Sequence, residues 1–127
     1  MGKITRDTMT LDGARIYYET AGQGDAVLLA HAGFVDSRMW DAQFEFFARY
    51  YQVIRFDMRG YGRSDPTKGP VIRRNEIDAL LRHLSIQKAA LVGCSMGGAN
   101  VLDFALEHPD RTQALVLVST APGGFEM

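Results

Sequence analysis

The chain has little of what staples a protein, spans a bilayer or grips nucleic acid. Its one cysteine is Cys94. No disulfide can form within it, and such sparse use fits a reducing compartment. Its longest apolar runs are four to six residues, against the roughly 20 that a membrane-spanning helix needs. The start, Met1-Gly2-Lys3-Ile4-Thr5-Arg6, carries no apolar stretch of the secretory-signal kind. Lys and Arg are spread along a chain of net charge −1, and no basic stripe is available to neutralise phosphates. The expectations are a cytoplasmic protein with no membrane and no nucleic-acid partner. No repeat, low-complexity tract or linker breaks the pattern. No metal or cofactor is assigned.

What remains is an ordinary globular composition, 46% hydrophobic and 23% charged over 127 residues. A chain of this size buries roughly two-thirds of its unfolded surface, enough for one core without metal or disulfide. A single domain over residues 1–127 is expected.

Short β-like runs alternate with helical patterns. Thr8 to Leu11 and Arg15 to Thr20 flank Asp12-Gly13, a strong hairpin signal. Ala26 to Ala30 is a continuous apolar run, as in a strand buried on both faces. A helix capped by Asp36 or Ser37 follows, with Trp40, Phe44 and Phe47 on one face. Tyr51 to Phe56 reads as a strand, and a Gly-rich polar loop runs on to Pro70. Ile77, Leu80, Leu81 and Leu84 make a second helical stripe. Ala89 to Val92 is a strand, Met96 to Glu107 a helix stopped at Pro109, and Ala114 to Val118 a last strand. Six strands and three helices in this order predict an α/β three-layer sandwich. Its sheet is mostly parallel, with an antiparallel first hairpin.

The run Gly93-Cys94-Ser95-Met96-Gly97 lies between a buried strand and a helical pattern. Glycines two before and two after the serine let strand and helix approach closely and leave room for a strained serine backbone. Its hydroxyl would stand above the C-terminal edge of the sheet. The first helical N–H groups point to the same place, so the Met96 N–H can donate to an oxyanion. The bland alternative is an ordinary N-cap serine; the flanking strand and helix favour the elbow. Next to the run ending at Ala30, His31-Ala32-Gly33-Phe34 forms a tight turn that can supply a second donor. The Gly33 N–H is preferred, with Phe34 as the alternative. His31 reads as a brace for this turn rather than a base. Asp57 and Arg59, in the loop Phe56 to Asp65, read as a structural clasp rather than substrate ligands. Cys94 precedes the serine, where a side chain points into packing and is inert. Trp40, Phe34 and Met96 could line part of a pocket, although such spacings more often mark core.

The turn His31–Phe34, the loop Phe56–Asp65, the elbow Gly93–Gly98 and the segment Glu107–Thr120 occur in an order and spacing that resemble the N-terminal half of an α/β-hydrolase-fold enzyme. The branch it resembles holds esterases, haloperoxidase-like enzymes and C–C bond hydrolases. The resemblance implies that Ser95 is a nucleophile for esters or related carbonyl carbons. It also implies that Met96 and the His31–Phe34 turn form the oxyanion hole. In that family the acid and then the histidine follow the serine, usually after the seventh and eighth strands. This chain ends after the sixth, so it reads as a truncated α/β-hydrolase fold. Glu126 stands where a minority of relatives place the acid. None of His31, His83 and His108 matches the catalytic histidine. The expectation is a hydrolase of ester-like small molecules that is nearly inactive alone. Its sixth-strand edge would pair in a homodimer or with a complementing C-terminal half. The alternative is a non-catalytic assembly or binding module.

Overall fold

Asp12 and Gly13 turn the chain with φ of 49° and 79°. A two-residue hairpin loop needs positive φ at both central positions, and Asp-Gly supplies it cheaply. The turn joins β1 (Ile4–Leu11) to β2 (Ala14–Ala21), antiparallel, with Leu11 opposite Ala14 and Ile4 opposite Ala21. In this computed structural model, residues 2–120 are described. β1 starts four residues before the expected strand because β2 pairs with it to its end, although most of its side chains face solvent.

The other strands are β3 (Ala26–Ala30), β4 (Gln52–Phe56), β5 (Ala89–Cys94) and β6 (Thr112–Val118). The sheet order is β1-β2-β4-β3-β5-β6. β2 meets β4 antiparallel, and the β4–β3, β3–β5 and β5–β6 pairs are parallel. Every residue of β3 is buried, since it runs mid-sheet with both faces covered. On one face a 3-10 turn (Ser37–Trp40) and α1 (Asp41–Phe47) pack Trp40 and Phe44 on Val27, Leu29 and Val53. On the other, α2 (Arg73–His83) and α3 (Met96–Glu107) bring Ile77, Leu80, Leu81, Val101 and Phe104 onto Leu28, Ile54 and Leu91. These are the three expected layers. Asp36 caps the 3-10 turn by accepting from the Arg38 N–H. No helix among the described residues is long and apolar enough to cross a membrane.

One strand carries a charge that the apolar pattern hid. Arg55 of β4 is buried, with Nη2 2.8 Å from Glu19 and Nη1 2.6 Å from Asp41. Its guanidinium lies 4.4 Å from the centroid of Phe44. The Arg55 stem thus passes through the sheet face while its fork binds β2 to the start of α1.

Candidate active site

The loops leaving β3, β4 and β5 meet at the C-terminal edge of the sheet. Parallel strands put these ends side by side, and Ala30, Phe56 and Gly93 share one level of the register.

Ser95 follows β5 and opens α3. Its backbone lies at φ 53°, ψ −115°, outside the regions an L-residue prefers; such a position costs about 1–3 kcal/mol and persists only when its surroundings enforce it. The surroundings here are close. A Cβ on Gly93 would stand 2.6 Å from Gly98 Cα. A Cβ on Gly97 would stand 2.6 Å from the Ala30 carbonyl carbon and closer still to the Ala30 and His31 carbonyl oxygens. Ser95 makes no side-chain cap hydrogen bond to α3, so it is not behaving as an ordinary N-cap serine. Its side chain is half-buried, sheltered yet reachable. As the first residue of α3, Met96 has an N–H without an acceptor in the helix.

The turn after β3 faces this elbow. Gly33 lies against Met96, with Sδ 3.7 Å from where a Cβ would be. Among the described residues, neither the Gly33 nor the Phe34 N–H has a partner. Phe34 sits at φ 66° and is 99% exposed.

His31 is fully buried and uses both ring nitrogens. Nδ1 is 2.7 Å from the Ala32 carbonyl, and Nε2 accepts from the Met58 N–H at 2.9 Å. The ring is therefore the neutral Nδ1–H tautomer. Burial holds its pKa below the ordinary value, against the Ala32 hydrogen bond and the Asp57 charge. It is a strut between the turn and the loop after β4.

That loop is clasped as expected. Buried Asp57 accepts from the Ser37 N–H at 2.8 Å and the Arg63 N–H at 2.9 Å. Arg59 donates from its guanidinium to the Pro66 carbonyl at 3.2 Å and from its backbone to Glu76 at 3.0 Å. Burial raises the Glu76 pKa. The Arg38 guanidinium lowers the Asp36 carboxyl to about 2.

An open groove of about 670 Å³ lies between the two loops, with Phe34, Met39 and Tyr61 on its walls. The Tyr61 ring packs edge-on against His31 at 5.4 Å, and its hydroxyl lies 3.9 Å from Met96 Sδ. Sequence reasoning passed Tyr61 over; an aromatic residue between Gly60 and Gly62 in a polar loop was the available signal.

Two expectations change. Trp40 does not line this groove. It is 6% exposed in the core under α1, and its indole N–H has no acceptor among the described residues. Cys94 is half-buried rather than enclosed, because it lies on the rim of that same cluster.

None of the three histidines serves Ser95. His31 is engaged at both nitrogens. His83 packs its ring 5.7 Å from Tyr18. His108 lies beyond the far end of α3, its ring 4.8 Å from Phe104 and Nε2 3.2 Å from Glu107. Glu126 lies outside the described residues.

A family model described as the alpha/beta hydrolase fold matches residues 25–126. The chain is 36% identical over 130 aligned positions to a 2-hydroxy-6-oxo-6-phenylhexa-2,4-dienoate hydrolase of Burkholderia cepacia, covering 96% of this chain and 45% of that one. It is 33% identical to a 3-oxoadipate enol-lactonase of Acinetobacter baylyi, covering 91% and 45%. The solved structure of a hydrolase from Pseudomonas aeruginosa superposes with a TM-score of 0.86 at 31% identity, over 91% of this chain and 46% of the other. The chain thus spans about 45% of the length of these curated relatives.

Proposed function

Since the chain belongs to the α/β-hydrolase fold family, we propose that Ser95 is the nucleophile of a hydrolase acting on an ester or related carbonyl carbon. The carrying observation is the Ser95 backbone at φ 53°, ψ −115°, uncapped and held between glycines that admit no Cβ. Ser95 Oγ would attack the carbonyl carbon and lose its proton to a base. The carbonyl oxygen would become an oxyanion and accept from the Met96 N–H and from Gly33 or Phe34. The similarity to a dienoate hydrolase and an enol-lactonase supports a small carbonyl compound as substrate, a lactone being a cyclic ester.

The proton acceptor is not among the described histidines. A serine hydroxyl is a poor nucleophile at neutral pH without a base. In serine hydrolases that lose triad members, oxyanion stabilisation and binding still leave about 10³–10⁴-fold over water. The chain by itself should therefore turn over a p-nitrophenyl ester only feebly. A fluorophosphonate at high concentration should label Ser95 slowly, and Ser95→Ala should abolish the label. Labelling elsewhere, or none in any oligomeric state, would favour the rival reading of a non-catalytic assembly module. Ordinary turnover lost in Ser95→Ala would show that the chain contains its own base.

The proposal of a partner is supported by the sheet edge. Among the described residues β6 pairs only with β5, and Val116, Leu117 and Val118 are 51%, 39% and 44% exposed. An apolar edge strand is a template for pairing. A second copy joined antiparallel about a two-fold axis would cover it; so would a C-terminal half that also brings the acid and the histidine. Sedimentation at micromolar concentration is expected to find more than the monomer, and Val116→Lys with Val118→Lys should restore the monomer. A stable monomer of the unaltered chain would sink this proposal.

A further inference from the structure

The end of β6 touches the elbow. The Ser95 N–H donates to the Val118 carbonyl at 2.8 Å. Two residues on, after Ser119 at φ 50°, the Thr120 hydroxyl donates to the Ser95 carbonyl at 2.7 Å. That carbonyl also accepts from the Ala99 N–H at 3.1 Å. The seat for Thr120 is made by a glycine: a Cβ on Gly98 would stand 2.6 Å from Thr120 Cβ and 2.7 Å from Oγ1.

These contacts hold the peptide planes on both sides of the Ser95 Cα. A trans peptide is a rigid unit whose C=O and N–H point in opposite directions. The plane that carries the Ser95 carbonyl also carries the Met96 N–H. A donor fixed on the carbonyl therefore aims the Met96 N–H. It also polarises the amide, which makes that N–H a better donor.

We infer that Thr120 is a positioning residue that aims the Met96 N–H through the Ser95–Met96 peptide plane and, with the Val118 carbonyl on the other plane, fixes the Cα that carries the Ser95 hydroxyl. The inference rests on the reading of Ser95 as nucleophile. Thr120→Val removes the hydroxyl and keeps the shape, whereas Thr120→Ser keeps the hydroxyl. The readouts are the rate of fluorophosphonate labelling at Ser95 and the amide proton shift of Met96.

Labelling should slow about tenfold in Thr120→Val, as loss of one hydrogen bond implies, and return to within about twofold in Thr120→Ser. The Met96 amide should shift to high field in Thr120→Val and recover in Thr120→Ser. If Thr120→Val does not fold, Thr120→Ala, which relieves any crowding on Gly98, takes its place against Thr120→Ser. Equal labelling of the unaltered chain and Thr120→Val overturns this inference alone. So does a Thr120→Ser variant as slow as Thr120→Val, which would assign the effect to shape. Failure of the unaltered chain to label overturns the nucleophile reading and this inference with it.

Discussion

Gly97→Ala is expected to cost about 3 kcal/mol or more, a large share of the roughly 5–15 kcal/mol that holds a domain folded. Alanine normally gains up to about 1 kcal/mol over glycine inside a helix, so the sign depends on packing. Gly97 is the second residue of α3 and is buried. The new Cβ would stand 2.6 Å from the Ala30 carbonyl carbon, inside contact with the carbonyl oxygens of Ala30 and His31. Those atoms are backbone at the end of β3, the strand buried along its whole length. No flexible side chain can swing aside. Either α3 lifts from the sheet or β3 shifts, and both open the core around Leu28 and Phe104. Denaturant melts should show a lower midpoint, and Ser95 labelling should fall with it. Gly2→Ala, with nothing within 4 Å of its Cβ, is the neutral control. A Gly97→Ala midpoint equal to that control would refute the close approach of α3 to β3.

His31→Leu is expected to cost about 1–3 kcal/mol at neutral pH and to remove an acid sensitivity of the unaltered chain. The buried Met58 N–H loses its acceptor, and an unsatisfied buried donor costs about 1–3 kcal/mol. Leucine fills much of the ring's space but offers no nitrogen. The pH effect has a definite sign. Burial lowers the His31 pKa below its unfolded value near 6.5. Between the two values the unfolded chain binds more protons, so stability falls as the solution is acidified below about pH 6.5, until the lowered pKa is reached. Protonation at Nε2 would set a donor against the Met58 N–H. Asp57 and Asp36 favour the charged ring and Arg73 opposes it, but desolvation is the largest influence. The measurement is the difference in unfolding free energy between the two chains from pH 7 to pH 5, which cancels other groups such as Glu76. The gap should narrow on acidification. A gap independent of pH would mean that His31 is not a buried neutral strut.

Local features were legible in the amino-acid order. Asp12-Gly13 announced its hairpin, Ala26–Ala30 its buried strand, and Ile77, Leu80 and Leu81 the inner face of α2. The glycines around Ser95 announced a strand and helix in close approach, and α3 begins and ends where the pattern put it. Each signal rests on turn chemistry or side-chain period, which act over a few residues.

Other features depended on the sheet order, which brings distant residues together. Arg55 reads as a misfit in an apolar strand until β4 lies beside β2 and Glu19 faces it. Trp40 has a spacing that more often marks core but leaves a pocket open, until the 3-10 turn sets it against Leu29 and Val53. The chemistry of His31 is decided by an N–H 27 residues away, which leaves no nitrogen for Ser95. The hold of Thr120 on Ser95 spans 25 residues and exists because β6 runs parallel to β5 and ends beside the elbow. By itself the amino-acid order determined that a serine would stand at a strand-to-helix turn. The tertiary structure alone decided which atoms hold it there, because hydrogen-bond partners are chosen by proximity in space and not along the chain.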